Sequence, residues 1–145
     1  MKTFKSLAAL EAAAKVSAKK TLNNQVKDLV EKKIKEKAQE VVYDSYSPVQ
    51  YVRRHWLGTM FAIIPGNYSI RIYDIDPANE QQRQGTPLAP GYLAQMINDT
   101  GAPNVFTNGV YPWMGPRPFY KRTVEELNGS SELISVVRAG FLANI

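Results

Sequence analysis

At 145 residues the chain is of single-domain size, long enough to bury a core of its own and too short for a second full domain. Apolar residues make up 44% and charged residues 21%, ordinary globular values that exclude wholesale disorder. The formal net charge of +5 sits wholly in the first 42 positions, where ten lysines face Glu11, Asp28, Glu31, Glu36 and Glu40, while the remainder of the chain balances. Clustered lysine attracts phosphates or an acidic surface, and it is also the common dressing of a solvated helix.

The absence of cysteine removes disulfides, thiolate zinc sites and cysteine nucleophiles, and fits a reducing compartment. No stretch approaches the ~20 apolar residues of a membrane span. Glu11 and Lys15 interrupt the opening apolar run, so no secretory leader is expected, and the lack of arginine before Arg53 argues against a mitochondrial presequence.

Taken in chain order, the first 42 positions hold neither proline nor glycine and are filled with strong helix formers. From Thr21 the apolar residues Leu22, Val26, Leu29, Val30, Ile34, Ala38, Val41 and Val42 build one stripe, which predicts a helix from Thr21 to Val42 of about 33 Å. Lys27, Lys32, Lys35 and Glu36 fall opposite it. Asn23-Asn24 is the weak point of the pattern, because asparagine competes for backbone hydrogen bonds, and a kink or break is expected there. Upstream, Leu7, Leu10, Ala14 and Ala18 form a thinner face. Residues 1–20 therefore read as an arm, helical where a partner covers it, leading into a domain over 21–145.

The segment Tyr43 to Arg54 gathers Tyr43, Tyr46 and Tyr51 around Pro48 and ends in Arg53-Arg54. The residue before a proline is pushed toward extended geometry, so helix ends here. Thr59 to Ile64 and Tyr68 to Ile75, joined by Pro65-Gly66-Asn67, predict a β-hairpin. Alternation places Tyr68, Ile70 and Ile72 on the face turned to the long helix, with Ser69, Arg71 and Tyr73 outside. Residues 76–91 are polar and proline-punctuated, an exposed loop. Tyr92 to Asn98 predicts a short helix closing near Gly101, and loop follows from Ala102 to Pro116, with a short strand about Val105-Phe106. Phe119, Val124 and Leu127 share one side of a helix interrupted at Gly129. Ser130 or Ser131 starts the last helix, with Leu133, Val136, Val137 and Phe141 as its buried side.

Reaction chemistry is sparse. His55 is the sole histidine, so any histidine-dependent nucleophile would need it, and it stands between Arg54 and Trp56. Asp74, Asp76, Asn79 and Glu80 are the densest oxygen cluster, but Pro77 and Ala78 break the order that a calcium loop requires. The scattered glycines form no phosphate cradle. No catalytic residue, cofactor or metal site is expected. An enzyme using Asp74, Asp76 or His55 is the last-ranked reading.

The order Tyr43, Asp44, Tyr46, Ser47, Pro48, Tyr51, Arg53, Arg54, followed late by Arg117-Pro118-Phe119 with Thr123 and Glu125-Glu126-Leu127, resembles the head-tail connector, neck or tail-completion proteins of tailed bacteriophages. Tyr92 to Gly101 is similar to that family's intervening short helix and glycine. The chain departs from it after the paired arginines, where His55-Trp56-Leu57-Gly58-Thr59 replaces a glycine-glycine-leucine turn, and in the proline-bounded insertion from Pro77 to Pro90.

The resemblance implies an α+β fold, with a long first helix and a carboxy-terminal helix packed on a small antiparallel sheet. It also implies a non-enzymatic virion subunit, assembled in the bacterial host as a ring of its own copies between portal, adaptor and tail proteins and close to packaged DNA. Tyr43, Asp44, Tyr46, Pro48, Tyr51, Arg53, Arg54, Trp56, Arg117, Pro118 and Phe119 are then the candidates for structural or subunit contacts. The rival reading is a small basic nucleic-acid-binding protein using Lys15, Lys19, Lys20 and Lys27 with the Arg53-Arg54 pair.

Overall fold

A computed structural model describes residues 3–45, 57–58, 61–75, 98 and 116–145. Helix α1, Leu7–Thr21, opens at Ser6, whose extended backbone lets its hydroxyl accept the Ala9 N–H at 3.2 Å. The chain then passes without a break through a wide π-type turn, Leu22–Val26, into α2, Lys27–Lys37, and through a second such turn, Ala38–Tyr43. In the first turn the Lys27 N–H reaches back five residues to the Leu22 carbonyl. In the second the Asp44 N–H does the same to Gln39, at 2.8 Å. Residues 7–43 thus form one helical rod about 55 Å long at 1.5 Å per residue. The expected weak point at Asn23-Asn24 is a widened turn and not a break.

The widened turn re-phases the buried line. Along the rod the fully covered positions are Ser17, Thr21, Val26, Leu29, Ile34, Ala38 and Val42, with a step of five residues across the first π-type turn. That extra residue keeps both halves of the rod facing the same neighbours.

Those neighbours are two carboxy-terminal helices that run back along it. Helix α3, Phe119–Gly129, lies beside α2, and α4, Ser131–Asn144, lies beside α1 and the first π-type turn. Ser130 separates them in extended conformation and caps α4 by accepting the N–H groups of Glu132 and Leu133. The antiparallel sense is fixed by contacts along the length: Arg117 meets Val42, Glu126 and Glu132 meet Lys33, and Phe141 meets Ser17.

The hairpin consists of β1, Phe61–Pro65, and β2, Ile70–Asp74, antiparallel with Ile63 opposite Ile72 and Pro65 opposite Ile70. The Gly66 N–H donates to the Ser69 carbonyl at 2.8 Å and closes the turn. Phe61 and Ile72 lie against the helices while Arg71 and Tyr73 are exposed, the facing that alternation predicts; Tyr68, expected on the helix side, is 63% exposed because it precedes the strand, which starts at Ile70. The core under the hairpin is Ile34, Ala38, Val42, Leu57 and Phe119, lined by Val30, Val41, Tyr43 and Tyr120. Gly58 follows Leu57 at φ +75°, pressed so closely on α2 that an added Cβ would stand 2.9 Å from the Lys35 Cα. The architecture is α+β, a long amino-terminal helix with a two-stranded antiparallel sheet and a carboxy-terminal helical pair.

Several expected core positions are displaced. Val124 and Val137 are exposed; Thr123 is buried in α3, Gly140 is buried in α4, and Leu133, Val136 and Phe141 are partly covered. On α1, Leu7 is 80% exposed and Leu10 is also open, whereas the polar Ser17 and Thr21 are covered. The reason is length: α4 ends against Ser17 and Thr21, so the first two turns of α1 project past it. Expectations for 46–56, 76–97 and 99–115, including the loop at 76–91 and the strand at Val105-Phe106, lie outside the described residues. Asn98 alone of the expected short helix is described, and it is helical.

Candidate functional site

The carboxyl end of the rod is where the two sequence motifs meet. A helix ends with unpaired carbonyls and a partial negative charge. Here the Val42 carbonyl accepts the Ser45 hydroxyl at 2.8 Å and the Arg117 guanidinium at 3.5 Å. Asp44 is held by Gln39, whose side-chain amide donates to the carboxylate at 2.6 Å. Pro118, with φ −79° and ψ 63°, forms an inverse γ-turn in which the Phe119 N–H donates to the Arg117 carbonyl at 2.8 Å. This turn drives Phe119 into the core, where no part of it is exposed, a burial that contributes about 1.5–3 kcal/mol. The Tyr120 N–H donates to the Asn98 side chain at 2.9 Å, and the Phe119 and Tyr120 rings lie 4.3 Å apart. Across the corner, the Tyr43 hydroxyl accepts the Leu57 N–H at 2.9 Å and so ties the approach to the hairpin to the rod.

Tyr43, Asp44, Arg117, Pro118 and Phe119 are thus brought together as one corner, with Tyr43 and Phe119 in its packing. Tyr46, Pro48, Tyr51, Arg53, Arg54 and Trp56 lie outside the described residues, as do His55 and Asp76.

A second assembly, not anticipated from sequence, joins α2 to the carboxy-terminal pair by charge. Lys33 donates to Glu126 at 2.8 Å and Glu132 at 3.2 Å, and Lys37 to Glu126 at 2.8 Å and Glu40 at 2.7 Å. The hydrogen bond from Lys33, then that from Lys37, hold the Glu126 carboxyl down at about 2. Glu126, then Glu132, push Lys33 upward in turn, and Glu126, then Glu40, do the same for Lys37. The signal was present: Lys33 and Lys37 each stand one residue before a stripe position, Ile34 and Ala38, at the edge of the buried face.

The other lysines sort differently. Lys27 is engaged by Asp28 at 2.9 Å and by Glu31, which raise its pKa, and Lys15 pairs with Glu11. Lys19 and Lys20 are exposed in the last turn of α1 and form no ion pair among the described residues.

Where α1 meets α4 the contact is close and polar. The Ser17 hydroxyl donates to the Phe141 carbonyl at 2.7 Å, near the end of α4, and the Thr21 hydroxyl donates to the Ser17 carbonyl at 2.9 Å. Beside them Gln25 Oε1 is buried without a hydrogen-bond partner. It borders an open groove with Leu29, Val136 and Ala143. Among the described residues no three His, Cys, Asp or Glu side chains converge to hold a metal ion, and no helix is long and apolar enough to cross a membrane.

The outer surface is unusually apolar in two places. On α4, Ile134 and Leu142 stand exposed on the side away from Gly140, at 70% and 64%, and Val137 is 41% exposed at the edge of the covered line. On the hairpin, Ile64, Tyr68 and Tyr73 are likewise exposed. The molecule is thus an α+β scaffold with a helical pair, an aromatic corner and exposed apolar side chains on two separate elements. The chain belongs to the YomN family, which it matches over residues 6–143. YomN is a Bacillus phage-type protein, so the chain is phage-associated. No curated protein and no solved structure matches it significantly.

Proposed function

We propose that this chain is a non-enzymatic structural subunit of a tailed-phage virion, placed at the head-tail junction as a neck or tail-completion protein and assembling as a ring between portal and tail. The observation that carries the reading is the second apolar face of α4. Ile134 and Leu142 are open, with Val137 half-open beside them, although the same helix already spends the Gly140 side on α1. A ring requires two different surfaces that meet head to tail. The α4 face and the exposed Ile64, Tyr68 and Tyr73 of the hairpin are two such surfaces on different elements. The phage association from the family and the resemblance of the Tyr43 and Arg117 motifs to connector proteins support the same assignment.

Sedimentation velocity of the purified chain over a wide concentration range tests it, together with mass spectrometry of purified virions. A closed oligomer is expected, dispersed by Ile134→Lys with Leu142→Lys while circular dichroism stays helical. A chain that is monomeric at every concentration and absent from virions defeats the assignment.

A further inference from the structure

Charge is sorted along this molecule. On the side of α2 and α3, lysines and carboxylates meet in a continuous set of pairs. At the end formed by α1 and α4 they do not. No acidic residue occurs from Ala12 to Val26, and none from Leu133 to Asn144, where exposed Arg138 adds a further cation. Within α1 itself Glu11 is the one carboxylate, and it is taken by Lys15. Lys5, Lys19 and Lys20 are exposed and meet no carboxylate among the described residues. Lys19 and Lys20 do not cap a helix end either, because the rod continues through Leu22–Val26.

At 100° per residue, Lys15 and Lys19 project opposite Ser17 and Thr21, the positions that α4 covers, and Lys20 projects from the flank between the two sides. Between them the surface is Ala12 and Val16, short side chains that let a bulky partner approach the rod. From the start of α1 at Leu7, just after Lys5, to Lys20 the helix runs about 20 Å.

We infer that this face of α1 binds the phosphate backbone of duplex DNA, independent of base sequence. The complementarity is ionic: exposed ammonium groups, of which Lys15 alone is paired with an acid, Glu11, against a polyanion carrying about one charge per 1.7 Å of axis. About 20 Å of helix lies along some six steps of duplex at about 3.4 Å per step of each strand. Exposed Asn24, in the turn that follows, adds an amide donor. Helix α1 itself carries no aromatic side chain to stack unpaired bases, which favours duplex over single strands. An acidic protein partner would seek an apolar anchor, and Val16 is all the face offers. The inference does not depend on ring assembly.

Fluorescence anisotropy of a labelled duplex of about 20 base pairs, titrated with the full chain between about 50 and 200 mM salt, tests it. Each released contact changes the log–log salt slope by about 0.9. Lys19→Gln with Lys20→Gln should therefore flatten the slope by about 1.8 and weaken binding on the order of 100-fold at the lowest salt. The double variant should keep its melting temperature, since neither side chain is buried or paired. Lys121→Gln with Arg122→Gln removes the same charge from α3 and should leave the slope unchanged. Absence of binding at the lowest salt, equal loss in the α3 variant, or tighter binding of poly-glutamate than of duplex at matched charge overturns the inference, the last in favour of an acidic protein.

Discussion

Gly140 is the position at which α1 and α4 come closest, and Gly140→Ala makes the contact measurable. In an exposed helix the change stabilises by about 1 kcal/mol, because alanine loses less conformational freedom than glycine. Here the new Cβ would stand 2.6 Å from the Thr21 Cγ2 and 3.2 Å from the Gln25 side chain, inside van der Waals contact. Overpacking of this kind costs about 1–3 kcal/mol. The clash therefore exceeds the propensity gain, and a net loss of up to about 2 kcal/mol is expected, several degrees in melting temperature for a chain of this size.

The methyl of Thr21 supplies the diagnostic. Thr21→Ser removes Cγ2 while keeping the hydroxyl that donates to the Ser17 carbonyl at 2.9 Å. In that background Gly140→Ala should turn from destabilising to stabilising, with a coupling energy above about 0.5 kcal/mol. Urea unfolding followed by circular dichroism reads all four corners of the cycle. Gly129→Ala, where no atom lies within 4 Å of the added Cβ, serves as the control and should not destabilise. If Gly140→Ala raises stability in the parent chain, or if its sign is the same with and without the Thr21→Ser change, the close packing of α1 on α4 is refuted.

Two further outcomes are expected. The Glu126 carboxyl is held below its unfolded value, so its contribution is complete above about pH 4.5 and is lost as the pH falls through about 2; Glu126→Gln should cost about 1 kcal/mol at neutral pH, since the pairs are partly solvated, and urea midpoints taken from pH 7 to 2 should show a shallower acid limb than the parent. Tyr43→Phe leaves the ring in the core but strips the acceptor from the Leu57 N–H, and a loss of about 1–3 kcal/mol is expected by thermal melting, with faster hydrogen exchange at that amide.

The sequence by itself determined the local elements. A first segment free of glycine and proline and rich in helix formers reads as helix, and its three- and four-residue apolar steps located Val26, Leu29, Ile34, Ala38 and Val42 in the core. Strict alternation oriented Ile70, Arg71, Ile72 and Tyr73 in the second strand, and the Ser130 cap marked the last helix. Tertiary structure alone decided the partners of those faces. Leu7 and Leu10 carry the stronger apolar signal on α1, yet Ser17 and Thr21 are buried, because where α4 stops, and how closely Gly140 lets it approach, depends on the pairing of segments more than a hundred residues apart. The same holds for the lysines. Residues alike in sequence are treated differently, Lys33 and Lys37 gripped by Glu126 while Lys19 and Lys20 meet no carboxylate among the described residues, because an ion pair across helices depends on separation in space, which no one-dimensional pattern carries.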